Sequence, residues 1–154
     1  MPSFLRQCGS ITKYTLVEPL EEVAIIGVLV AISIPIFTSQ LEKARDGVSI
    51  ANIRAAYAQA QSAYLTADGK TTNADTDVTV DYETNGKVKT ITVANVVIKS
   101  QSANNWSGVG AELPWVKSAD AVTPADATGL NTAPQKVVFT YNDKGEIDTV
   151  AFGS

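Results

Sequence analysis

The sequence predicts an α+β fold in which a long N-terminal α-helix packs by its C-terminal half on a small antiparallel β-sheet. Three observations carry this expectation. An uncharged apolar run, Val23 to Phe37, leads into residues spaced at three and four. Beyond Gly69 the chain turns to Thr, Asn, Asp and Val with stretches of strict alternation. Two glycine-bearing turns divide that second region into hairpins, so a helix followed by a run of strands is the arrangement to expect.

The apolar run reads VAIIGVLVAISIPIF, 15 residues. As a helix it spans about 22 Å at 1.5 Å per residue, whereas a hydrocarbon core is about 30 Å thick. A signal-peptide segment, a buried core helix and a membrane anchor with unusual flanks all compete for it. The signal-peptide reading fits poorly. Glu18, Glu21 and Glu22 stand where a secretory signal carries positive charge, and no A-x-A-like site follows the run. The helical pattern also continues: Ile50, Ile53, Tyr57, Ala60 and Tyr64 form one apolar face, with Glu42, Lys43, Arg45, Asp46, Asn52 and Arg54 expected on the solvent side. Asp68-Gly69 supplies a stop. One helix from about Pro19 to Thr66 is expected, interrupted and kinked at Pro35, where proline removes a backbone hydrogen bond. Such a rod would be about 70 Å long, more than a head of this size can cover, so part of its apolar surface must be buried by something outside the chain.

In the second region VTVDYE (Val78 to Glu83) and VKTITVANVVI (Val88 to Ile98) alternate, and Thr84-Asn85-Gly86 between them is a hairpin signal. VVFTYN (Val137 to Asn142) and IDTVAF (Ile147 to Phe152) form a second pair around Asp143-Lys144-Gly145. Between the pairs runs a long polar segment, Lys99 to Gln135, with Trp106, Trp115 and three prolines. Loops of that length are long for a compact domain and are usually functional or partly mobile.

Composition excludes several classes. The 154 residues carry 12 basic and 16 acidic side chains, a net charge of -4, without the clustered basic face that phosphate binding needs. No nucleic-acid site is evident. There is no histidine and one cysteine, Cys8, so Ser-His-Asp and Cys-His catalysis, thiolate metal clusters and an internal disulfide are all excluded. Asn73-x-Asp75-x-Asp77 has the alternation of a calcium loop, but Val78 replaces the turning glycine and Thr84 the distal glutamate, so a solvated loop is expected. Trp106 and Trp115 are expected in core or interface packing rather than as ligand anchors. Glu21 and Glu22 sit beside an apolar helix with no pocket, which gives paired-carboxylate chemistry no support. No enzyme, cofactor or metal is indicated.

The N-terminal residues carry a resemblance. KYTLVEPLEEVAIIGVLVAISIPIF resembles the class III signal and first helix of type IV pilins and pseudopilins: a short basic leader, an aromatic first mature residue, T-L-[IV]-E, and an apolar run ending in proline. Tyr14, Thr15, Leu16, Val17 and Glu18 match the mature start, and Gly27 and Pro35 fall at the family's spacing. The similarity covers about Lys13 to Arg45. Three positions depart from the pattern. Lys13 replaces the glycine before the cleaved bond, Pro19 follows Glu18, and Glu21 and Glu22 replace apolar residues.

The resemblance implies a pilin fold in three parts: residues 1–13 a prepilin leader, 14–41 a hydrophobic helix that serves as membrane anchor and filament core, and 42–154 a globular head. It implies cleavage by a prepilin peptidase between Lys13 and Tyr14, slowed by the bulky Lys13, and methylation of the new amino terminus. Assembly would use Glu18, Gly27 and Pro35, with Glu18 pairing with the amino terminus of a neighbouring subunit. The partners implied are other pilin subunits, the prepilin peptidase, the pilus assembly machinery and the membrane. The precursor would reside in the inner (cytoplasmic) membrane and the assembled protein in an extracellular filament at the cell surface. Arg6 and Lys13 on the leader side agree with positive-inside orientation. A pseudopilin of a type II secretion or DNA-uptake system shares these features. A monomeric membrane-anchored binding protein using the Lys99–Gln135 loop is the alternative from another class.

Overall fold

The computed structural model describes residues 17–102, 106–108, 113–115, 130 and 132–153, with the side chains of Val17, Glu18 and Asn73 outside that set. The chain divides into two compact units, Met1–Thr38 and Ser39–Ser154. Helix α1 covers Val17–Leu65. It is followed by β1 (Asn73–Asp75), β2 (Val78–Tyr82), β3 (Val88–Val96), β4 (Gln135–Tyr141) and β5 (Ile147–Gly153). The expected interruption at Pro35 does not occur, because α1 runs unbroken through it. Proline forfeits only its own bond to the carbonyl four residues back, and the turns on either side carry the helix across. The Ser33 hydroxyl donates to the Leu29 carbonyl at 2.7 Å and the Thr38 hydroxyl to the Pro35 carbonyl at 3.0 Å, so these polar groups are satisfied within the helix.

The five strands form one antiparallel sheet in chain order, β1-β2-β3-β4-β5. Both expected hairpins are present, and both close in the same way. Gly86 N–H donates to the Glu83 carbonyl and Gly145 N–H to the Asn142 carbonyl, each at 2.9 Å. The glycines take φ of 80° and 78°, the left-handed conformation that ends a three-residue turn with a glycine bulge. β1 has no counterpart in the sequence reading. The alternating stretch expected to reach Ile98 leaves the ladder at Val96, where the register shifts between Val93 and Val96 and Asn95 takes φ 60°.

The core belongs to the second unit. Period-two burial brings Val78 and Val80, Ile91 and Val93, Val137 and Phe139, and Val150 onto one face, and helical spacing brings Ile50, Ile53, Ala56, Ala60 and Ala63 against them. Alanine at 56, 60 and 63 keeps that helical face flat, while Tyr57 and Tyr64 pack at its margins. Tyr57 lies 4.8 Å from Trp115, which meets Phe139 edge-on at 5.5 Å. Fully burying a side chain such as Ile53 or Phe139 contributes about 1.5–3 kcal/mol.

Candidate functional site

In the first unit, Pro19–Thr38 of α1 presents apolar side chains on every side. Leu20, Val23, Ile25, Ile26, Val28, Leu29, Val30, Ile32, Ile34, Ile36 and Phe37 are all exposed, Phe37 at 68%. The helix is long and apolar enough to cross a membrane, with a mean hydropathy of 2.2 over its most apolar window, none of it buried. A helix that is hydrophobic all round is normally covered, by lipid or by other helices. No charge interrupts it from Val23 to Leu41, about 28 Å of helix.

The sequence-predicted site residues distribute as follows. Lys13 and Tyr14 lie outside the described residues. Glu18 is in the first described turn of α1, with its side chain outside the described set. Glu21 and Glu22 are exposed. Gly27 is exposed in mid-helix, and a Cβ there would meet nothing within 4 Å. Glycine costs roughly 0.5–1 kcal/mol against alanine at such a position, and packing among the described residues gives no reason for it.

In the second unit a polar seam runs along α1 where a solvent face was expected. Asn52 Nδ2 donates to the Val97 carbonyl at 2.7 Å. The Ser49 hydroxyl accepts from Lys99 N–H at 2.9 Å and Ser100 N–H at 3.1 Å, and itself donates to the Arg45 carbonyl. Glu42 Oε1 accepts from Gln101 N–H at 2.6 Å and Ser102 N–H at 2.8 Å. Arg45 bonds Glu42 Oε2 at 3.4 Å and the Gln101 amide oxygen. One helix edge thus satisfies the backbone of the segment leaving β3.

Asp46 corrects the expectation of exposure most sharply, since it is fully buried. It follows the apolar face one turn ahead of Ile50. Its Oδ2 accepts from the Ser107 hydroxyl at 2.5 Å, and its Oδ1 has no hydrogen-bond partner among the described residues. Trp106 and Ser107 both take left-handed backbone, φ 56° and 50°. Trp106 and Trp115 are buried in the core, as packing predicts.

Burial opposes the charge on Glu42, but the two backbone N–H groups and Arg45 outweigh it and hold the carboxyl below its usual range. Asp68 is held far below the usual range by the Thr71 hydroxyl and the N–H groups of Thr71 and Lys70, which cap the turn after α1. Burial, then the neighbouring Tyr57 and Tyr64, raises the Tyr141 hydroxyl, whose ring stacks on Tyr64 at 4.7 Å. Asp75 accepts from Thr76 N–H and Asp77 from Asn95 Nδ2, and the segment expected as a solvated loop is partly strand, since Asn73–Asp75 form β1 against β2. Among the described residues no group of three His, Cys, Asp or Glu side chains could hold a metal ion. The Lys99–Gln135 loop lies largely outside the described residues. No family model, curated protein or solved structure matches the chain.

Proposed function

We propose that this chain is a structural subunit of a type IV pilus or related filament, held in the inner membrane by α1 before assembly. The observation that carries the reading is the apolar helix itself, which is exposed on all sides over Pro19–Phe37 although such a surface requires cover. Lipid covers it in the precursor, and the helices of neighbouring subunits cover it in the filament. Gly27, with open space around its backbone, suits close helix–helix approach. Cleavage between Lys13 and Tyr14 releases the leader and exposes the amino terminus. Glu18 then pairs with the amino terminus of a neighbour, and Glu21 and Glu22 remain near the end of the span where their carboxylates can reach water. The protein has no catalytic role in this scheme.

Electron microscopy of filaments sheared from the native cell, with mass spectrometry of their subunits, tests the proposal. The expected result is this chain beginning at Tyr14 in the filament fraction. Confinement of the protein to the membrane as a monomer that binds a ligand would support the anchored binding protein instead. Filaments confined to the cell envelope would support a pseudopilin. Glu18→Gln should lower filament yield while leaving membrane insertion intact, because removing one partner of a buried ion pair costs about 3–5 kcal/mol. Undiminished yield would remove Glu18 from the assembly mechanism.

A further inference from the structure

Where α1 enters the second unit, one stripe of it remains apolar and in solvent. Leu41 and Val48 are 39% and 49% exposed, and Ala44 between them is exposed as well. Their spacing of three and four puts them on a single face. The polar seam lays Val97–Gln101 alongside this stripe, with Lys99 fixed through its backbone N–H to the Ser49 hydroxyl. Ala44, Arg45, Val48, Lys99 and Gln101 line an open groove of about 510 Å³. Among the described residues two cations and no acid line it. Glu42 bonds Arg45 but is not among the lining residues, and its other oxygen is taken up by the Gln101 and Ser102 N–H groups.

We infer that this groove binds the headgroup of an anionic phospholipid, the phosphate at Arg45 and Lys99 and the first methylenes along Leu41, Ala44 and Val48. An apolar stripe flanked by cations has the chemistry of an acidic membrane interface. Free phosphate would match the cations alone and leave the apolar stripe exposed. Position along the chain supports the same ligand, since Leu41 ends the uncharged run that starts at Val23. In the membrane-anchored reading, on which this inference rests, residues just past that run stand at headgroup level.

The test uses the full chain in nanodiscs of phosphatidylcholine containing a graded fraction of phosphatidylglycerol, with co-retained lipid measured by native mass spectrometry. Wild type should retain phosphatidylglycerol in preference to phosphatidylcholine. Lys99→Gln should reduce that preference about fivefold, the effect of one cation near an anionic surface. Val48→Asp should reduce it too, and Lys144→Gln, in the exposed turn between β4 and β5, should not. Equal retention of both lipids by wild type, or full preference in Lys99→Gln, overturns the inference. Displacement of the lipid by millimolar inorganic phosphate would identify a phosphate site and overturn it as well. Alkaline extraction of native membranes separates the two claims: protein that resists extraction but shows no lipid preference refutes the groove alone, whereas protein that is extracted refutes the anchor and the groove together.

Discussion

The carboxylate of Glu42 and the backbone N–H of Gln101, 59 residues apart in the chain, meet at 2.6 Å. With Ser102 N–H and Arg45 on the same carboxylate, Glu42 closes the polar seam that ties the segment after β3 to α1.

Glu42→Gln should therefore loosen that segment. Hydrogen bonds to a charged group contribute about 1.5–3 kcal/mol each at most sites, so a loss of about 1.5–3 kcal/mol at neutral pH is expected from chemical denaturation. Because the folded-state carboxyl lies below its unfolded value, its contribution is complete above the ordinary carboxylate range. It is lost as pH falls through the lowered value. Melting temperature plotted against pH should thus fall less steeply in acid for Glu42→Gln than for wild type, and parallel curves would refute the assignment.

Asp46 and Ser107 form a second test. Ser107→Ala leaves a fully buried carboxylate without the hydroxyl that reaches Oδ2, and stability should drop by about 1–3 kcal/mol. Asp46→Asn keeps an oxygen for Ser107 and removes the buried charge, so it should cost less. Urea denaturation of the two variants decides the order, and a larger loss in Asp46→Asn would show that the charge itself stabilises the head.

The two hairpin glycines separate conformational strain from steric overlap. Both have positive φ, but a Cβ on Gly86 meets nothing within 4 Å, whereas one on Gly145 would strike the Tyr64 hydroxyl. Gly86→Ala should cost about 1–2 kcal/mol for left-handed backbone alone. Gly145→Ala should cost more, and thermal melts showing equal losses would mean that Tyr64 moves aside freely.

Among the described residues, every buried apolar residue of the core lies between Ile50 and Val150. Residues 39–154 expressed alone should consequently fold as a soluble head with a cooperative melt. Phe139→Ala within it should cost about 3–5 kcal/mol, since the ring is fully buried. Tyr57→Ala should cost less because that ring is only partly buried. A non-cooperative melt of the wild-type head would show that the apolar helix is needed for folding.

Much of this architecture is legible in the amino-acid order because it rests on periodicity. Ile50, Ile53 and Ala60 announce their face by spacing, and Gly86 and Gly145 announce the turns that need left-handed backbone. What stays hidden depends on partners far along the chain. Glu42, Ser49 and Asn52 look like ordinary solvent-facing polar residues until the segment Val97–Ser102 meets them. Asp46 misleads because a hydrophobic pattern assigns every acid to the outside, whereas the Ser107 hydroxyl and the adjoining core enclose this one. β1 escapes notice because Asn73, Ala74 and Asp75 show no alternation. The processing residues Lys13 and Tyr14 and the candidate assembly residues Glu18, Gly27 and Pro35 are legible through motif alone, because the partners the motif implies are other molecules.

The sheet's strand order has a kinetic consequence. Since each strand pairs only with its neighbour in sequence, β2–β3 and β4–β5 can each zip from a tight turn on the microsecond scale typical of hairpins. Joining β3 to β4 requires closing the long excursion from Val97 to Pro134, an entropic cost on the order of 3 kcal/mol beyond the constant term. The polar seam pins the start of that excursion to α1 at Glu42, Ser49 and Asn52, which shortens the stretch left to search. Seam formation should accordingly precede union of the two hairpins, and variants that weaken it should slow refolding more than they speed unfolding.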